Sequence, residues 1–151
     1  MPNGKYTTEI HTSIDRVWNF VSDINNWAPL VPGYIEHKII NDKQSTWKFV
    51  SDIGIIKRTL HMKIDITMWQ EPTKVTFNLT GLNENFSGKG YFEAGSITDS
   101  KTSITGFLDI TAKGVLGPAI NPVLKTVIPK TATELTSEIA IKIKEVEDLI
   151  Y

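Results

Sequence analysis

The chain has 151 residues, with 16 Lys and Arg against 17 Asp and Glu, three His and no Cys. A length near 150 residues suits one domain able to bury about 68–70% of its unfolded surface, and 40% hydrophobic with 22% charged residues is a globular composition. A net charge of −1 argues against nucleic acid as the main partner; the lack of Cys excludes disulfides, thiolate metal sites, iron–sulfur clusters and a Cys nucleophile.

The first residues, Met1 to Tyr6, run directly into strand-like sequence without an apolar stretch, so no signal peptide is expected. No window approaches the roughly 20 apolar residues of a membrane span. One cytoplasmic domain over residues 1–151 is the expectation.

In chain order, residues 5–11 read as a strand with Tyr6, Thr8 and Ile10 on one side. Thr12 with Asp15 matches a variant capping box, opening a helix whose stripe is Ile14, Val17, Trp18 and Val21. Asp23 to Trp27 reads as a break and a second short helical turn, ended by Pro29 and Pro32-Gly33. From there the period is two for about eighty residues. Strands are expected near 34–41 and 45–53, then over 58–68, where Leu60, Met62, Ile64, Ile66 and Met68 alternate with polar residues. Trp69 falls on the face opposite Met68. Glu71-Pro72 is a turn; Val75, Phe77 and Leu79 carry the next strand. Phe86, Gly88, Gly90, Phe92 and Ala94 share one side of the strand after it, and Ile104, Gly106, Leu108, Ile110 and Ala112 one side of the last. The spacing predicts a seven-stranded antiparallel meander. Asn121-Pro122 reads as a cap with Pro at the first helical position. Val123, Val127, Ala132, Leu135, Ile139 and Ile143 then mark a long amphipathic helix that Pro129 should kink or interrupt.

A sheet with one apolar face needs a cover, and only the terminal helix is long enough. Gly88, Gly90 and Gly106 lie on the inward register, where a missing side chain allows either sharp curvature or an unfilled volume. Three such positions on neighbouring strands favour a cavity between sheet and helix.

This order of elements resembles the α+β helix-grip fold of the START-like superfamily, also called SRPBCC, which includes polyketide cyclases and Bet v 1-like proteins. More narrowly, the chain resembles the CoxG-like family, named after a component of carbon monoxide dehydrogenase. The residues carrying this are Val17-Trp18, Asp23 to Trp27, Val31-Pro32-Gly33, Asp52-Ile53-Gly54 before Lys57-Arg58, and Glu71-Pro72. Gly81, Gly88-Lys89-Gly90 and Gly114-Val115-Leu116-Gly117 complete the series. The resemblance implies a pocket for a lipid or quinone-like molecule and a molybdenum hydroxylase as partner. Longer members carry a C-terminal extension with a membrane anchor; this sequence ends at Tyr151, so no such tether is expected.

The residues offer little chemistry. His11, His37 and His61 are too far apart for a local metal motif, and neither a metal nor a cofactor is expected. His61 shares a side with Lys63 and Asp65, the wet face. His37, between Ile35 and Ile39, is the best candidate for a polar group in the pocket, although a hydrogen-bonded core His is the commoner reading. Arg58 falls on the apolar register at a strand start, as a pocket group or a rim residue with a packed stem. Glu145, Glu147 and Asp148, near Lys142 and Lys144, read as a solvated face. The expected ligand wall is Trp27, His37, Trp47, Phe49, Arg58, Met62, Phe77, Gly88, Gly90, Phe92, Gly106, Leu135 and Ile139, with Phe86 and Met68 also inward. Aromatic and Met walls suit flat or flexible apolar ligands, though each residue alone reads as ordinary core. The leading expectation is non-enzymatic binding of an apolar molecule. The alternatives are a small cyclase or dehydratase using His37 or Arg58, and a protein-recruiting adaptor. A homodimer is left open.

Overall fold

The structure, a computed structural model, describes residues 2–53 and 56–150, and their side chains except within 52–58 and 147–150. Its elements are β1 (Asn3–Ile10), α1 (Ile14–Val21), α2 (Ile24–Trp27), a 3-10 turn (Ala28–Leu30), β2 (Tyr34–Ile39), β3 (Gln44–Ile53), β4 (Ile56–Gln70), β5 (Lys74–Gly81), β6 (Phe86–Thr98), β7 (Lys101–Ala112) and α3 (Gly117–Ile150). All strands join one antiparallel sheet in the order β1-β7-β6-β5-β4-β3-β2. Strands β2–β7 form the expected antiparallel meander, whereas β1 departs from it by pairing with β7 rather than β2, and the long helix lies on the sheet's apolar face.

Widths explain the shape. Seven strands about 4.8 Å apart span roughly 29 Å, whereas a helix with its side chains is about 10–12 Å across. One helix cannot cover that face, so the sheet curls and α3 packs chiefly on β1 and β7. Across the inner face of β3–β5 stand residues of α2, the following loop and one flank of α3.

Three local expectations need correction. The first helix is capped by Ser13 rather than Thr12: Ser13 is extended, and its Oγ accepts the Arg16 N–H at 3.4 Å. Thr12 is instead buried, and its carbonyl accepts the Thr102 hydroxyl at 2.8 Å. The second correction is a bulge in β4. Ile66 pairs with Phe77, but Met68 pairs with Thr76 and Trp69 with Val75. The extra residue reverses the faces beyond it. Met68 becomes 41% exposed, while Trp69 turns toward the core and meets Trp18 edge-on with ring centroids 6.1 Å apart.

The third concerns α3, which begins at Gly117 and runs as one element through both Pro122 and Pro129. Asn121 is no cap. Its Oδ1 accepts the Ala112 N–H at 2.8 Å and its Nδ2 donates to the Ala112 carbonyl at 3.0 Å, tying the helix to the end of β7. Pro122 and Pro129 each lack the N–H that would reach four residues back. Packing keeps the helix continuous: Gly4 of β1 lies against Pro129, where a Cβ would collide with its backbone.

Candidate ligand-binding cavity

Alternation along the strands and one helical face build the site. In β3 the inward residues are Trp47, Phe49 and Ser51; in β4, Leu60, Met62 and Ile64; in β5, Phe77 and Leu79; in β7, Leu108 and Ile110. Phe86 enters from the start of β6, and Trp27 and Val31 close one side. Facing them, α3 presents Leu124, Val127, Ile128, Thr131 and Leu135, spaced as one face of a helix. Together they bound a cavity of about 90 Å³. A smaller void of about 20 Å³ adjoins it, sharing Trp27, Phe77, Leu108 and Leu135 and adding Phe92, Gly106, Thr136 and Ile139.

The wall is apolar not only by composition but by where its polar atoms point. Trp27 Nε1 donates to the Val21 carbonyl at 3.0 Å, and Trp47 Nε1 donates to the buried Ser45 Oγ at 2.8 Å. Both indoles thus have their N–H satisfied by protein and give the space their rings, which meet edge-on at 5.3 Å between centroids. The Thr131 hydroxyl donates back to the Val127 carbonyl at 2.9 Å. Ser51 and Thr131 are the polar residues of the main wall, and none of its described residues is titratable. A single water needs about 10–15 Å³. This space is several times larger and offers water few polar partners.

Of the residues singled out in the sequence, Trp27, Trp47, Phe49, Met62, Phe77 and Leu135 line the main cavity; Phe92, Gly106 and Ile139 line the smaller void. His37 lines neither. It lies opposite Trp47 in the ladder, but on the edge strand, and its ring bridges the Tyr34 hydroxyl and Asn25 Oδ1, each at 2.6 Å. Arg58 pairs with Ser51 in the ladder; its side chain lies outside the described residues.

The glycines act by close approach rather than by leaving space. A Cβ on Gly88 would strike the Asp109 carbonyl across the curled sheet, one on Gly90 would sit 2.7 Å from the Phe77 ring, and one on Gly106 would strike Thr136 Oγ1 of α3. Gly88 and Gly90 consequently line neither void. The cavity comes instead from large rings on β3–β5 holding the helix away. The residues missed, chiefly Leu124, Ile128 and Thr131, sit on one face of α3 that is legible once the helix begins at Gly117. Leu60, Ile64, Leu79, Leu108 and Ile110 carried their signal in the inward register.

No curated protein matches the sequence. Solved structures share the architecture. A conserved protein from Geobacillus kaustophilus aligns with a TM-score of 0.74 at 16% identity, covering 95% of each chain. A START superfamily protein from Mycobacterium smegmatis gives 0.71 at 16% identity, over 95% of this chain and 98% of that one. The Zhui aromatase/cyclase from Streptomyces sp. R1128 gives 0.66 at 14% identity, over 99% and 95%. These likenesses show the fold: a START/polyketide-cyclase sheet around a long C-terminal helix. A family model matches residues 1–147, and the chain belongs to that family across nearly its whole length.

Proposed function

We propose that this protein binds an apolar small molecule, of lipid, isoprenoid or quinone type, between the sheet and α3, without transforming it. The observation carrying this reading is the enclosed wall of rings and aliphatic groups whose Trp N–H donors are already satisfied elsewhere. Such a wall holds a hydrocarbon by burial, at roughly 25 cal/mol per Å² of apolar surface removed from water. The likeness to an aromatase/cyclase keeps cyclisation as the alternative; that chemistry needs acid–base groups at the bound molecule, and His37 is engaged outside the cavity. The resemblance to the CoxG-like family adds a molybdenum hydroxylase as the enzyme this protein would assist.

The test is thermal. A ligand at one hundred times its Kd stabilises by about 2.7 kcal/mol, which raises the Tm of a chain this size by about 5–10 °C. Fatty acids, isoprenoid alcohols and short-chain quinones are added singly to purified protein, and organic extracts of the protein are examined by mass spectrometry. A raised Tm with one class, or its copurification, supports binding. No shift with any class and an empty extract sink it.

A further inference from the structure

Just outside the cavity lies an open groove of about 190 Å³, lined by Glu84, Asn85, Phe86, Ala112, Lys113, Gly114, Val115, Leu116 and Ile120. Among the described residues, Phe86 is the one lining both spaces. The groove continues the cavity by one step along three elements. On β7 the inward series passes from Ile110, in the cavity, to Ala112, in the groove. On α3 the series passes from Leu124 back one turn to Ile120. On β6, Phe86 is the first inward residue and pairs with Ala112. Ala112 adds only a methyl beside it, and the Phe86 side chain, only 5% exposed, borders both spaces.

The two spaces differ in chemistry. The cavity wall is apolar, whereas the groove sets Glu84, Asn85 and Lys113 beside Val115 and Leu116, which are 96% and 56% exposed. Around the rim the Lys113 N–H donates to the Asn85 carbonyl at 2.8 Å, the Phe86 N–H to the Glu84 carbonyl at 3.0 Å and the Ile120 N–H to the Leu116 carbonyl at 3.0 Å, and Gly114 at φ +78 makes a left-handed turn suited to glycine. Nearby, Pro122 offers no N–H to the carbonyl of Pro118, four residues back.

We propose that cavity and groove form a single binding tract for a single-chain amphiphile. The hydrocarbon tail passes Phe86 into the cavity, the polar end group stays in the groove among Asn85, Lys113 and Glu84, and Phe86 swings aside to admit the tail. This rests on the binding reading above and adds the ligand's shape, its orientation and its route.

The probe is cis-parinaric acid, a fluorescent single-chain fatty acid, followed by stopped-flow. Phe86→Ala should speed uptake by about tenfold or more, because it opens the gate, and should speed release by more still, because the ring is also part of the cavity wall. Phe86→Trp should slow both. Leu79→Ala, which alters the wall and not the gate, should change Kd chiefly through release and leave uptake unchanged. Lys113→Glu should weaken parinaric acid more than it weakens the corresponding alcohol. Circular dichroism melts confirm that each variant is folded; if Phe86→Ala does not fold, Phe86→Leu replaces it with the same expected direction. Uptake and release at the wild-type rate in a folded Phe86 variant overturn the tract even though the protein binds. Absence of parinaric acid binding by the wild type overturns the tract, while the binding reading above stands or falls on the thermal screen with all three classes.

Discussion

The two halves of α3 face the same sheet and do opposite things. Toward the C-terminus, Thr136, Ile139 and Ile143 are at most 3% exposed, and Thr136 presses against Gly106, whose missing side chain lets helix and strand approach. Toward the N-terminus, Leu124, Val127, Ile128 and Thr131 look across a gap at Trp47, Phe49 and Phe77. The helix does not change; what the sheet sets against it does. Glycine on β7 brings it down, and rings on β3 and β5 hold it off. The cavity is a region of the core left incompletely packed, next to a region where helix and strand come into close contact.

The largest effect should come from the packed half. Ile143→Ala, at a buried position that lines neither void, should cost about 3–4 kcal/mol in chemical denaturation, as a full core deletion does. Leu124→Ala, whose side chain already borders empty space, should cost about 2 kcal/mol. Equal losses would erase the contrast between the halves.

Next is Gly106→Ala, expected to lose about 2 kcal/mol because the new methyl meets the Thr136 hydroxyl. Adding Thr136→Ala should return part of that loss, and a double-mutant cycle reads the coupling. If the two substitutions are simply additive, close approach at Gly106 is not what seats the helix.

Asn121→Ala removes both hydrogen bonds to Ala112 and should cost about 1–2 kcal/mol. It should also loosen the end of α3 nearest the cavity, read as faster amide exchange there than at Ile139. The smallest change has the opposite sign. Leu79→Phe adds volume where the cavity has room and should gain about 0.5–1 kcal/mol while lowering affinity for any apolar probe.

Much of this is legible in the chain. Alternation places Trp47, Phe49, Met62 and Phe77 on the inner face because strand side chains switch sides at every residue, a rule that needs no knowledge of partners. The same rule fails after Ile66, since a bulge is an extra residue relative to a neighbouring strand and the strand alone does not show it. Register likewise leaves His37 outside the cavity unexplained, because it says nothing about how near the sheet edge a residue lies.

Period, caps and turn residues are short-range, so the sequence by itself determined the element order, the apolar faces and the lack of Cys chemistry. Length and composition made one sheet and one long helix the economical arrangement. Only the tertiary structure decided where helix and sheet touch. The inward glycines suggest space, yet Gly88 meets the Asp109 carbonyl, Gly90 the Phe77 ring and Gly106 the Thr136 hydroxyl. Whether an absent side chain leaves a void or a contact depends on what lies opposite in three dimensions. That is why the cavity belongs to Trp47, Phe49, Phe77 and the first half of α3.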